Sequence, residues 1–89
     1  EGFISVFAVV DATTGQVVAG PQVHARGLAE NDDVLKDVVP QVKQALADAA
    51  KDGNADTYQM QQIVRRVVGR WASTRLRRRP MIIPVVVKA

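Results

Sequence analysis

Seven arginines crowd the last third of this 89-residue chain: Arg65, Arg66, Arg70, Arg75, Arg77, Arg78 and Arg79. A guanidinium presents a planar fork of donors that matches two phosphate oxygens at once, so such a cluster suits phosphate contacts. Arg66, Arg70, Arg77, Arg78 and Arg79 are the candidates for contacts to the phosphates of a nucleic acid. A structural reading competes with this one. Late-helix cations complement the helix dipole and pair with acids elsewhere. Structure is favoured, because stacking platforms for bases are scarce: there are four aromatics, and Phe3, Phe7 and Trp71 are expected to be buried.

Catalytic chemistry fails by inventory. There is one histidine, His24, and no cysteine, whereas a metal site needs a cluster of His, Cys or carboxylate ligands. A hydrolytic triad needs a nucleophile and a base oriented by a third group, and His24 has no evident sequence partner. His24 therefore reads as an exposed or hydrogen-bonded strand residue. Gly15 and Gly20 punctuate a hairpin, and no Lys-Ser/Thr pair follows them as a phosphate loop requires. No catalytic residue, metal ligand or cofactor is expected within these residues.

Charge is unevenly spread. Residues 1–56 carry nine Asp/Glu against four Lys/Arg, and residues 57–89 carry eight Lys/Arg and no acid. The chain's +3 thus hides an acidic half at −5 and a basic half at +8, so a polyanion would meet the C-terminal half. A hydrophobic content of 47% is that of a folded unit, and the length is that of a single small domain. The absence of cysteine favours a reducing cytoplasm. The longest apolar run, Met81 to Val87, contains Pro84 and falls far short of the roughly 20 residues that cross a bilayer. No membrane partner is expected. Glu1 stands directly before a strand-like run, and we expect a domain cut from the C-terminal end of a larger protein.

The elements that must position these side chains follow from periodicity. Phe3 to Val10 is an apolar, β-branched run ending in Asp11-Ala12-Thr13-Thr14-Gly15, which reads as a strand entering a turn. Gln16 to Arg26 returns as a second strand, and Gly20-Pro21 inside it points to a sheet edge. Asn31-Asp32-Asp33 starts a helix near 32–52, with Val34, Leu35, Val38, Val42, Ala45, Leu46 and Ala49 on its buried face. A kink is expected at Pro40, rather than two helices. Gly53-Asn54 ends this helix, and Asp56 or Thr57 starts another near 56–77 that buries Met60, Ile63, Val64, Val67, Val68 and Trp71. Pro80 stops it. Met81 to Val87 is a third strand, with Pro84 marking an edge or bulge.

The fold class is therefore α+β, ββααβ, with a three-stranded sheet of order 2-1-3 and two helices packed on one face. Short connections would lay strand 3 parallel to strand 1. One sheet face is then left over. Strands 1 and 3 are apolar on both sides, so either the Phe3/Phe7/Val9 set or the Ile4/Val6/Val10 set stays uncovered. Phe3, Phe7, Val9, Ile83 and Val85 are the candidate interface residues.

Two stretches carry a resemblance. Gly20-Pro21-Gln22-Val23-His24-Ala25-Arg26-Gly27 resembles the Gly-Pro…Arg-Gly segment in the C-terminal domain of bacterial ribonuclease J. Arg65-Arg66-Val67-Val68-Gly69-Arg70-Trp71, followed by Arg77-Arg78-Arg79-Pro80-Met81-Ile82-Ile83-Pro84-Val85, is similar to that family's closing signature. Gly20, Pro21, Arg26, Gly27, Pro80 and Pro84 are the signature positions. The Val- and Ala-rich style with arginine preferred is similar to actinobacterial members. Leu28 stands where an aromatic is expected and Lys88 where an acid is common.

The resemblance implies a division of labour. In that family two metal ions, with zinc expected, lie in a metallo-β-lactamase domain with an inserted β-CASP domain, and neither domain is among these residues. The parent would be an exonuclease acting on RNA from the 5′ end and an endonuclease, serving RNA degradation and rRNA processing. The C-terminal domain is associated with oligomerisation, so the implied partners are the parent's own subunits, as a dimer or tetramer, and RNA reached through the parent. The first reading is a non-catalytic assembly domain that helps guide RNA. The alternative is a free-standing basic nucleic-acid-binding module, and a small independent enzyme ranks last for want of any catalytic constellation.

Overall fold

The computed structural model describes residues 2–28, 32–53 and 56–89. Strand β1 (Phe3–Val10) leads into β2 (Val17–Arg26). A 3-10 helix (Asp32–Asp37), helix α1 (Val39–Lys51), helix α2 (Thr57–Trp71), a π-helical turn (Ala72–Leu76) and strand β3 (Met81–Lys88) follow.

The β1–β2 turn is held by Asp11, whose Oδ1 accepts from the Thr13 and Thr14 amides at 2.8 Å each. Those bonds, Thr14's first, hold the Asp11 carboxyl below the usual carboxylate range. The sheet order is β2-β1-β3, with β2 antiparallel and β3 parallel to the central β1. Both proline-bearing strands are edges, as the missing N–H of proline demands. β3 pairs with β1 without a break from Phe3↔Met81 to Val10↔Lys88, so Pro84 sits at an edge without a bulge. The irregularity falls instead in the β1–β2 register between the partners of Phe7 and Val9. Gly20 stands there at φ 82°, and a Cβ on it would meet the Phe7 carbonyl oxygen at 2.7 Å. Only glycine fits.

The helical region differs from expectation at Pro40. In place of one kinked helix there are two elements, the 3-10 helix ending at Asp37 and α1 beginning at Val39. Proline lacks an N–H and clashes with the carbonyl four residues back, so it is tolerated in the first turn and nowhere deeper. Pro40 takes that place in α1. Asn31 and Asn54, read as part of the start and end signals, lie outside the described residues. Asp32 and Asp33 do open the 3-10 helix, and Gly53 follows α1 at φ 83°. Asp56 caps α2 through Oδ1, which accepts from the Tyr58 amide at 2.7 Å. The α-helical ladder of α2 stops at Trp71, earlier than expected, and the π-turn carries the chain on to Leu76.

Both helices lie on one side of the sheet. Ile4, Val6, Ala8 and Val10 of β1 and Ile82 and Val86 of β3 meet Val42 and Leu46 of α1 and Met60, Val64, Val68 and Trp71 of α2 in one core. Among the described residues no helix is long and apolar enough to cross a membrane.

Candidate functional site

Alternation along the strands decides which apolar set the helices cover. Ile4, Val6 and Val10 are buried beneath them, so Phe3, Phe7 and Val9 point to the opposite face. Phe3 and Phe7, expected to be buried, are half-buried and exposed respectively, because no helix lies over their side of the sheet. Parallel pairing sets Met81 beside Phe3, Ile83 beside Ser5, Val85 beside Phe7 and Val87 beside Val9. Phe7 is 42% exposed, Met81 66%, Ile83 37%, Val85 38% and Val87 40%. These side chains form one continuous apolar surface over β1 and β3. Met81 and Val87 extend the candidate set; their signal was the alternation of the third strand with its buried neighbours Ile82 and Val86.

The polar margin of this face comes from β2. Arg26, His24 and Gln22 pair with Phe3, Ser5 and Phe7. His24 is exposed there, opposite Ser5. Among the described residues no three His, Cys, Asp or Glu side chains stand together as metal ligands. Of the signature positions, Gly20 forms the irregular step of β2, and Gly27 takes φ 75° where a Cβ would meet the Gly2 Cα at 2.9 Å. Pro21, Pro80 and Pro84 are buried, while Arg26 is exposed.

The outer edge of β3 is occupied by side chains of α2. The Met81 amide donates to the Gly2 carbonyl and the Ala89 amide to that of Val10, so odd-numbered residues turn towards β1 and even-numbered ones outward. Of the outward groups, the Ile82 carbonyl accepts from Arg65 Nη1 at 3.0 Å, and the Val86 amide donates to Gln61 Oε1 at 3.0 Å. Pro84 between them has no N–H to offer. The edge is thus partly closed to a further strand, while the apolar face stays open.

The arginines divide between places. Arg65 is spent on β3. Arg70 and Arg77 line a hollow of ≈ 630 Å³ between the start of α1 and the end of α2, together with Arg75, Thr74, Trp71, Gln41 and Asp37. Arg75 Nε lies 3.7 Å from Asp37 Oδ2, and both side chains are more than half exposed, so this pair adds little to stability. Arg66, Arg78 and Arg79 do not line the hollow. Arg66 and Arg79 are exposed, and Arg78 is half-buried. Thr74 and Arg75 were not among the candidate contacts; Arg75 belonged to the arginine cluster, and the four-residue step from Arg70 was the one signal for Thr74.

A family model described as the ribonuclease J C-terminal domain matches residues 1–89. The chain is 38% identical over 88 residues to ribonuclease J of Mycobacterium tuberculosis and 36% identical over 88 residues to that of Mycolicibacterium smegmatis. Each alignment covers 99% of the chain and 16% of the relative. Ribonuclease J 2 of Staphylococcus epidermidis is 24% identical over 89 residues, covering 97% of the chain and 16% of that protein. The chain therefore spans about a sixth of the length of these nucleases, and it belongs to the ribonuclease J C-terminal domain family.

Proposed function

We propose that this chain is the assembly domain of a ribonuclease J-like enzyme, and that its open sheet face packs against the same face of a second copy. The observation that carries the reading is the apolar surface of Phe3, Phe7, Val9, Met81, Ile83, Val85 and Val87 on the side of the sheet without helices. Its centre bears no charge, and Arg26 and His24 stand at the β2 margin. Such a patch can meet its own image about a two-fold axis without setting like charges together in the middle. The eight-residue strands β1 and β3 are about 26 Å long, and with β2 the sheet spans about 14 Å, a flat footprint of roughly 370 Å². A standard specific interface buries about 800 Å² per partner, so the isolated chain should associate weakly. Linkage to the rest of the parent would strengthen it through effective concentration.

In the parent this domain would hold subunits in a dimer or tetramer. The nuclease chemistry of RNA decay and rRNA maturation, in the cytoplasm and with zinc, would belong to domains outside this chain. The contribution here is positional rather than chemical.

Two substitutions separate the faces. Val10→Lys places a charge in the core and should abolish the folded circular dichroism signal. Val9→Lys places it on the open face and should leave the domain folded but monomeric in sedimentation. Two unfolded variants, or a folded Val9→Lys that associates like wild type, would refute the assembly reading.

A further inference from the structure

The hollow at the end of α2 is built by an unusual stretch of backbone. After Trp71 the helix widens into the π-turn Ala72–Leu76, and the Arg77 amide reaches back to the Ala72 carbonyl. Arg77 then takes the left-handed conformation, φ 57° and ψ 39°. It is the one non-glycine residue with positive φ among those described. A helix end of this shape is ordinarily served by glycine, which has no Cβ to crowd the carbonyl that follows. An arginine there is strained, and residues held in such conformations gather at functional sites. π-turns gather there too. Here both bring Arg77 to the hollow that Arg70 and Arg75 also line.

The chemistry of the hollow is one-sided. Three arginines and Thr74 line it with one carboxylate residue, Asp37, whose Oδ2 lies 3.7 Å from Arg75 Nε. Arg70 and Arg77 have no ion-pair partner among the described residues. A neighbouring hollow of ≈ 470 Å³ shares Gln41 and Arg70 and continues the groove along α1 past Gln44 and Asp48. Volumes of this size accommodate small ligands or a short piece of an extended one. Trp71 is buried in the wall and offers no ring face for a base to stack on.

From this arrangement we infer that the groove at the α1–α2 crossing binds the phosphodiester backbone of a nucleic-acid strand without regard to sequence, through Arg70, Arg75 and Arg77. Thr74 supplies a hydroxyl donor, and Asp37 holds Arg75 in position. Lacking a stacking platform, the site reads charge and spacing and not bases. The groove lies on the helix layer, opposite the open sheet face, and the inference does not rest on the assembly reading.

Fluorescence anisotropy of a labelled oligouridine of about 12 nucleotides tests it, with wild type and variants compared at matched protein concentrations. Three backbone contacts predict a salt dependence of log K on log [salt] with slope about −2 for a single strand. Arg70→Ala should weaken binding at least about fivefold and flatten the slope by about 0.7. Arg66→Ala and Arg79→Ala remove the same charge outside the hollow and should change affinity less than about twofold. Arg77→Gly carries the sharpest expectation. It should weaken binding as Arg70→Ala does while raising the melting temperature by about 4 °C, because the strained residue is relieved. Equal losses for Arg66→Ala and Arg70→Ala would reduce the effect to net charge and overturn the site. A lowered melting temperature for Arg77→Gly would make Arg77 a structural cap and overturn its role. Binding of inorganic tripolyphosphate without any binding of the oligouridine would reassign the groove to small phosphates and overturn the strand.

Discussion

Trp71 links both layers of the molecule in a single side chain. It is 6% exposed, belongs to the core beneath the sheet, and also forms part of the wall of the arginine hollow. Replacing it with alanine removes a large buried ring and leaves a cavity. Trp71→Ala should cost about 3–5 kcal/mol, much of the ~5–15 kcal/mol that holds a domain of this kind together. Urea denaturation measures it, and a loss below about 1 kcal/mol would mean that α2 is not anchored there. Its burial was legible from the stripe of Met60, Val64, Val68 and Trp71. The placement of Phe3 and Phe7 on the open face was not. A strand that is apolar on both sides does not announce which side the helices take, and the side was decided by packing far from it in sequence.

At the scale of elements, α2 and β3 act as a pair. Gln61 and Arg65, one turn apart on α2, occupy outward backbone groups of β3 on either side of Pro84. An unguarded edge strand of Met-Ile-Ile-Pro-Val-Val-Val would invite pairing with another chain. The double variant Gln61→Ala/Arg65→Ala should therefore stay folded yet form species larger than those of wild type in size-exclusion chromatography. Each lost bond should cost about 0.5–1.5 kcal/mol. A folded double variant with an unchanged elution profile would show that the two side chains do not guard the edge. The proline-bearing strands were readable as edges because proline lacks a donor. The side-chain guard was not readable, since it joins residues 17 and 25 positions apart. The break at Pro40 was a matter of degree: proline signals an interruption, but a 3-10 segment and a kink begin from the same signal.

On the scale of the whole molecule, the division of surfaces follows from how few helices the chain has. Two helices and a 3-10 segment cover one face of a sheet whose β1 and β3 are apolar on both. The remainder is a neutral apolar face on one side and a basic groove on the other. That arithmetic was visible in the alternation of β3 and in the charge difference between the two parts of the chain, and so was the β2-β1-β3 order. Arg70 and Arg77, seven positions apart, were legible as sharing one helical flank; Arg75 beside them was not, because a π-turn changes the angular spacing on which helical projection depends. Sedimentation velocity of the 89-residue chain across concentration tests the central claim directly. Self-association through the open face predicts a weight-average coefficient that climbs from the monomer value towards that of a dimer as concentration rises. A coefficient that stays at the monomer value throughout would contradict it.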